Sequence, residues 1–551
     1  MVNIYFDIDK NAVKSGKSVT FYDLISKNYG NKVNNAAICK LKGQYFELSN
    51  LVTDSGEIEI IEFNTELGMK IYTRTLQFIF IKVALDLFPQ AKIKIEHSIS
   101  KGLFGEICKE TPLNESDIKL IKEKMKELIE RDVPINSIRM LKEDAIKIFK
   151  EYNMEDKVKL LEYSDFKDVR IYELEGRQDY FYGPMAYSTG IIKAFDLMYY
   201  EPGFILRSPE KDNLHVLPEY KEQRKLSNVF LETERWLSIL DIGEVGTLNE
   251  KLSSHEAQNL ILTSEALHEK KIANIADQIA TKKEVKIVLI AGPSSSGKTT
   301  FANRLGIQLR VNGLVPIPLS LDDYFIERKN TPRDENGDYD FESIYALDLD
   351  LVNKALISLM NGEEVEVPTY NFKTGEREWN GKKIKLPSNG VLILEGIHGL
   401  NPILTSSVPQ EKIFKVYISA LTQLNLDNHN RISTTDVRKV RRIVRDSLSR
   451  GHDAEATLKM WPSIKRGEKN NIFVYQNKAD AMFNSTLVYE LSLLKPYALK
   501  ELNKINKNSS VYEEAVRLKS ILIFFKEVDM CYVPTNSILR EFIGGSCFYQ
   551  Y

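Results

Sequence analysis

The sequence predicts a multidomain α+β and α/β chain: small α+β modules in the N-terminal half, and a doubly wound unit with a parallel sheet in the C-terminal half. Three observations predict it. At 551 residues the chain is too long for one hydrophobic core. Residues 1–62 show short alternating runs around one short helical stretch. From Val285 onward, apolar runs alternate with helical patterns, the rhythm of βαβ units.

The bulk composition excludes several classes. The chain is 43% hydrophobic and 28% charged, ordinary for a globular protein. A net charge of -2 gives no global field toward nucleic acid or membrane, though it leaves room for a local basic patch. The four cysteines, Cys39, Cys108, Cys531 and Cys547, are scattered and form no Cys-x-x-Cys. That argues against a disulfide framework or a structural zinc site and suits a reducing compartment. The first residues, Met-Val-Asn-Ile-Tyr-Phe-Asp, have no basic n-region and no apolar h-region. No apolar run reaches the roughly eighteen residues of a membrane span. Phe78–Phe88 is interrupted by Lys82 and Asp86. The expected location is cytoplasmic, with no membrane partner.

In chain order, Val2–Phe6 alternates, Thr20–Asn28 reads as a helix, and Ala36–Leu41 and Glu57–Glu62 read as strands. This module (residues 1–62) is similar to the TGS domain, which implies a small β-grasp-like, ubiquitin-related fold. Residues 63–225 follow with an alternating strand after Leu85–Lys92. Next comes an amphipathic helix, Ser116–Arg131, with Ile118, Ile121, Met125, Leu128 and Ile129 on one face and Asn114 or Ser116 as cap. Tyr182-Gly-Pro-Met-Ala-Tyr-Ser-Thr-Gly190 and Ile192–Phe195 come after it. The succession resembles the second additional domain of threonyl-tRNA synthetase, its editing domain. That family's metal-ligand-like His, His, Cys and His positions fall by register on Arg74, Phe78, Phe181 and Met185 here. None of the four offers the nitrogen or thiolate required. Hydrolytic editing is therefore expected to be absent, and the resemblance leaves RNA binding or an assembly role for this half. His97 and His215 stand isolated, as structural residues do. Residues 226–282 read as a helical connector, in which His255 and His268 have no evident partners.

The next stretch, Val285–Thr300, is VKIVLIAGPSSSGKTT. An apolar strand runs into Gly292-x-x-x-x-Gly297-Lys298-Thr299, and a helical pattern begins near Lys298. Strand, glycine loop, helix is the context of a phosphate-binding P-loop. The residues Gly292, Pro293, Ser294, Ser295, Ser296 and Gly297 curl so that backbone N–H groups converge on a phosphate. The helix beginning at Lys298, Thr299 and Thr300 adds its positive end. Lys298 reaches the β- and γ-phosphates, and the Thr299 hydroxyl suits Mg²⁺. A second strand, Val315–Ser320, ends in Ser320-Leu-Asp-Asp-Tyr-Phe325. Ligands of open α/β sheets lie beyond strand C-termini, so Asp322 and Asp323 should face the phosphates. A carboxylate there accepts a hydroxyl proton or joins the metal shell. Gly390–Leu394 ends in Glu395, the Walker B arrangement. Ser433–Gly451 reads as a helix carrying Arg438, Lys439, Arg441, Arg442, Arg445 and Arg450. Arg438, Arg442 and Arg445 share one face, as a cationic lid over transferring phosphoryl requires, and as a solvated basic face also would.

Gly292–Thr299, Ser320–Phe325, Tyr339-Asp-Phe-Glu342, Pro368–Phe372, Leu394-Glu-Gly396 and Arg441-Arg-x-x-Arg-Asp-x-x-x-Arg-Gly451 occur in the order seen in uridine/cytidine kinases. With its N-terminal half, the chain resembles TGS-containing uridine kinase-like proteins. The resemblance implies ATP and Mg²⁺ as cofactors and a nucleoside or related sugar as the small-molecule substrate. It implies Asp322 as the base for the 5′-hydroxyl proton and Thr299, Asp322 and Glu395 around the metal. Lys298, Arg445 and Arg450 would serve catalysis. Arg442 would contact both the nucleotide and the acceptor, and Glu342 and Tyr370 would line the acceptor pocket. His452 stands where the family has an arginine. Gly375 and Met460 fall near the positions that read a pyrimidine, so base recognition is not carried over. Val365–Leu386 reads as a β-hairpin in which Lys373, Arg377 and Trp379 are candidate replacements. Residues 509–551 read as a helix followed by Pro534–Gly545, in which either Arg540 and the two adjacent glycines pack over the active site or the tail simply docks on the kinase unit (283–508). Kinases of this group are often homo-oligomers; the sequence leaves that state open. The alternative is an RNA- or tRNA-binding protein with an ATP-driven P-loop switch.

Overall fold

A run of five residues, Ile287–Ala291, is apolar throughout and buried throughout. Such a strand is stable only in the middle of a sheet covered on both faces. The computed structural model, which describes residues 2–6, 12–15, 19–335, 337–371, 374–422 and 424–549, places it there. The chain forms two compact units. One comprises Met1–Gln223, Glu244–Gly246 and Asn425–Arg431; the other comprises Arg224–Gly243, Thr247–Leu424 and Ile432–Tyr551.

The first unit opens with β1 (Val2–Phe6), β2 (Ala12–Ser15), α1 (Phe21–Tyr29), β3 (Ala36–Leu41), β4 (Gln44–Phe46) and β5 (Gly56–Glu62). The strands form one sheet in the order β2-β1-β5-β3-β4, with β1 and β5 parallel. Thr20 caps α1, accepting from the Asp23 N–H at 3.1 Å, and Phe21, Leu24 and Ile25 bury its inner face. After it come α2 (Glu66–Leu87), β6 (Lys92–Ile99), β7 (Gly102–Cys108), α3 (Glu115–Glu130), β8 (Asn136–Leu141), α4 (Lys142–Glu151) and α5 (Glu155–Glu162). β9 (Asp168–Leu174), β10 (Arg177–Tyr180), β11 (Asp196–Tyr200) and β12 (Gly203–Arg207) complete two sheets, β11-β12-β7-β6 and β10-β9-β8. α2 is apolar on nearly all sides, as a helix buried within a domain must be. α3 buries Ile118, Ile121, Met125 and Leu128, the face its periodicity predicts, while Ile129 is partly buried. Asn114 is its cap, accepting from the N–H groups of Ser116 at 2.9 Å and Asp117 at 3.1 Å.

The second unit contains α6 (Arg224–Leu240), most of α7 (Val245–Ser253), α8 (Ala257–Thr281), β13 (Ile287–Ala291), α9 (Lys298–Val311), β14 (Val315–Ser320) and α10 (Leu349–Met360). Two short antiparallel pairs follow. β15 (Glu364–Glu366) pairs with β18 (Lys383–Lys385), and between them β16 (Thr369–Asn371) pairs with β17 (Glu376–Glu378). They realise the alternation of Val365–Leu386 as nested ribbons. Next are β19 (Gly390–Glu395), β20 (Ile413–Ser419), α11 (Thr434–Arg445), α12 (Ala454–Asn471), β21 (Ala481–Asn484), α13 (Glu490–Leu502), α14 (Tyr512–Leu522) and α15 (Arg540–Ile543).

The main sheet has the order β14-β19-β13-β20-β21, and every pairing is parallel. β13 sits in the middle, with later strands added on both sides: a doubly wound sheet. Ile287 and Leu289 on β13 share a core with Leu392 and Leu394 on β19 and with Val352, Leu356 and Leu359 on α10. The helices of residues 226–282 pack on this unit. Thr233 of α6 accepts from Asn484 at 3.1 Å, and His268 of α8 lies 3.1 Å from the Thr486 carbonyl. Burial holds His268 neutral, pushed down to about 3, so its place is structural. Among the described residues no helix is long and apolar enough to cross a membrane.

Candidate active site

β13 ends at Ala291, and the chain turns at once because β20 lies alongside. A Cβ on Gly292 would stand 2.0 Å from the Ile418 carbonyl oxygen, so only glycine fits. Gly297 closes the loop in the left-handed region (φ 82°), and α9 begins at the next residue. Lys298 folds back over its own loop, donating to the Pro293 carbonyl at 3.3 Å. Burial pulls the Lys298 ammonium below its usual range, and the nearby Glu395 and Asp322 charges oppose that.

Three parallel strands deliver their ends to this loop. Glu395, the last residue of β19, accepts from the Thr299 hydroxyl at 3.3 Å and from the Ser320 hydroxyl, at the end of β14, at 3.3 Å. Burial, and then the Asp322 charge, push the Glu395 carboxyl up to about 7. Two acids crowded together are short of a cation. The donor set is a hydroxyl and carboxylate oxygens, the hard-oxygen chemistry that suits Mg²⁺.

Asp322 and Asp323 lie on the short turn after β14 and have different roles. Asp322 sits half-buried where its charge acts on Lys298, Glu395 and Arg450. Asp323 accepts from the Tyr370 backbone N–H at 3.2 Å and so ties β16 to the turn. Tyr370 is buried and packs its ring 5.6 Å from Phe325. Glu342 reaches the same region. Burial, and then the neighbouring Glu468, push its carboxyl up to about 7, while Arg442 and Lys298 pull the other way.

The basic helix α11 is not a solvated face. Arg438 donates to the Ser294 carbonyl at 3.0 Å and pairs with Glu468. Arg442 donates to the Ser294 hydroxyl at 2.6 Å. Arg445 pairs with Asp446 at 2.8 Å. Arg441 is fully buried and donates to Glu490, to the Ser485 carbonyl and, at 3.4 Å, to the Ser295 carbonyl of the loop. The helix ends at Arg445, earlier than its periodicity predicts; Asp446–Arg450 winds as a wider turn that leaves Arg450 exposed. His452 is exposed beyond it.

Two acids bear on the loop that sequence reading did not single out. Glu468 of α12 accepts from the Ser294 N–H at 3.0 Å. Glu541 of α15 accepts from Thr300. Glu468 has no motif around it, and Glu541 lies within Pro534–Gly545, a stretch whose Arg540 and glycines, not its acid, stand out. Arg377, a candidate for acceptor contact, donates instead to Asp348 at 2.9 Å and to the Phe325 carbonyl at 3.1 Å. Trp379 is half exposed, and Lys373 lies outside the described residues.

In the first unit, the four editing-register positions are packed with carbon and a guanidinium. Phe78 and Phe181 pack with tilted rings 5.0 Å apart, Met185 is buried against Thr75, and Arg74 donates to the Pro184 carbonyl at 2.6 Å. Beside them Lys157 is fully buried, 3.0 Å from both Asp179 and Asp427, and His429 lies 2.7 Å from Asp179. His97 packs on Phe104 at 4.8 Å and is held neutral by burial, pushed down to about 3.

A doubly wound parallel sheet, a glycine loop after its central strand, and a lysine, hydroxyl and acids at that rim define a P-loop kinase fold. Residues 287–492 match the Phosphoribulokinase / Uridine kinase family. Uridine kinase of Staphylococcus aureus (strain JH9) is 30% identical over 185 residues, 33% of this chain and 79% of that protein. The chain belongs to this family. A second similarity is to threonine–tRNA ligases. That of Caldanaerobacter subterraneus subsp. tengcongensis is 32% identical over 184 residues, 33% of this chain. The chain spans only 28% of that ligase's length. A solved structure titled as a possible uridine kinase from Bacillus stearothermophilus is 19% identical and covers 36% of this chain and 89% of its own, with a TM-score of 0.24.

Proposed function

We propose that this protein transfers the γ-phosphoryl group of ATP to the primary hydroxyl of a nucleoside or a related ribose-containing acceptor. One observation carries the reading: Lys298, Thr299, Glu395 and Asp322, from three separate segments, converge at one rim of the sheet. Thr299 and Glu395, with Asp322, would hold Mg²⁺, which when bound neutralises phosphate charge. The P-loop N–H groups and Lys298 orient the phosphates, and Arg442, Arg445 and Arg450 counter charge on the equatorial oxygens. Asp322 accepts the acceptor's hydroxyl proton as the new O–P bond forms and the bond to the β-phosphate oxygen breaks, releasing ADP. Glu342 and Tyr370 support a polar, ring-bearing acceptor.

The test is direct. The chain is incubated with ATP·Mg²⁺ and a panel of nucleosides and sugars, and products heavier by one phosphate are sought by mass spectrometry. Asp322→Asn is expected to keep nucleotide affinity and to lose turnover by about 10²-fold or more. Wild-type turnover in that variant would remove the base assignment. The threonine–tRNA ligase similarity favours a second reading, in which the N-terminal half binds RNA and ATP hydrolysis acts as a switch. ATP hydrolysis stimulated by RNA, with no phosphorylated small molecule, is the result that would select it.

A further inference from the structure

After α14, residues 537–543 return to the P-loop and are buried there. Ile538, Leu539 and Phe542 are fully buried. Arg540 is spent on backbone, donating to the carbonyls of Met530 at 3.0 Å and Val533 at 2.5 Å. Phe542 lies under the Arg441 guanidinium at 5.1 Å. Ile538 crowds Gly297, where a Cβ would meet its side chain at 2.6 Å. This brings Glu541, 7% exposed, onto the first turn of α9. One carboxylate oxygen accepts from the Thr300 N–H at 3.4 Å and from the Thr300 hydroxyl at 3.0 Å. The Tyr549 hydroxyl lies 2.6 Å from the same Thr300 oxygen.

Thr300 is the third residue of α9, so its N–H has no partner within the helix. In a helix that opens from a glycine loop, such N–H groups are the ones available to phosphate. Here one of them, and the hydroxyl beside it, already serve an anion that belongs to the chain. Its charge acts on Lys298, Glu395 and Arg450, so it stands among the catalytic groups. A phosphate and a carboxylate cannot share those donors. Both are anionic, and Glu395 and Asp322 already crowd the rim.

We propose that Glu541 is an internal occupant of the nucleotide site: it holds the Thr300 N–H and hydroxyl in the nucleotide-free protein and yields them to a phosphate of the incoming nucleotide. The C-terminal segment thereby sets nucleotide affinity. The inference rests on the P-loop reading above. The opposing account makes Glu541 a permanent brace of α9, which stays in place when nucleotide binds.

The two accounts predict opposite signs. Glu541→Gln keeps the volume and an acceptor oxygen but removes the charge. In the full chain it should bind ATP·Mg²⁺ about tenfold more tightly, the size of one charge-assisted hydrogen bond. Adenosine, which has no phosphate, should bind the variant and the wild type alike. ATP affinity unchanged or weakened in the variant overturns the proposal. A second measurement does not depend on the variant folding. Backbone amides of residues 537–549 in the wild type should exchange hydrogen faster when ATP·Mg²⁺ is added, and slower exchange overturns the proposal. If the wild type binds no ATP, the P-loop reading itself falls, a result distinct from either.

Discussion

Glu342 shows what a single side chain contributes and what it costs. Its carboxyl is pushed up to about 7, first by burial and then by Glu468. A folded-state value above the unfolded one favours folding while the group keeps its proton. That contribution is complete below the unfolded value and is lost as pH rises through about 7. Melting temperatures of the wild type and Glu342→Gln, taken at about pH 5 and about pH 7.5, should therefore diverge, with the glutamine variant losing less on the alkaline side. Parallel profiles would remove the assignment. At this scale the sequence was informative where chemistry is contiguous. Gly292 to Thr300 is one unbroken stretch, and its meaning is local. Asp322 and Asp323 were both visible as acids, but only packing separates the one facing Lys298 from the one holding Tyr370. Glu468 and Glu541 act on residues 174 and 241 positions away, and no local pattern marks them.

Among the elements, α11 carries the most weight. Its arginines divide by face. Arg438 and Arg442 grip Ser294, whereas Arg441 is sealed among Glu490, Ser485 and the Ser295 carbonyl. Periodicity placed Arg438, Arg442 and Arg445 together, but it cannot distinguish a packed face from a wet one; only the partners decide. The division predicts two different variants. Arg441→Met leaves Glu490 buried without its partner and should destabilise the unit by about 3–5 kcal/mol in chemical denaturation. Arg450→Ala, at an exposed turn, should change stability by no more than about 0.5 kcal/mol while reducing phosphoryl transfer. Equal effects of the two on unfolding would contradict this division of the arginines. The nested ribbons of residues 364–385 were legible as alternation. That Arg377 spends its donors on Asp348 and Phe325 was not, because both partners lie upstream in a different fold segment.

For the whole molecule, the order of modules could be read from the sequence because each carries its own rhythm: short strands first, then helix-rich α+β, then alternating strand and helix. The editing-like region adds one expectation. Phe78, Phe181, Met185 and Arg74 fill the register positions with groups that supply neither an imidazole nor a thiolate. A mischarged aminoacyl-tRNA incubated with the chain should be hydrolysed no faster than in buffer, and release of free amino acid above that background would contradict it. What could not be read is that Asn425–Arg431 belongs to the first unit although its neighbours on both sides belong to the second.

That short excursion matters to anyone who would dissect the gene. A fragment stopped at Gln223 would carry Lys157 and Asp179 but leave Asp427 and His429 behind. Its deepest ammonium would be one counter-ion short, and a stranded buried charge is the costliest kind of omission. No single cut yields two whole bodies, because the polypeptide returns to the first unit twice, at Glu244–Gly246 and again at Asn425–Arg431.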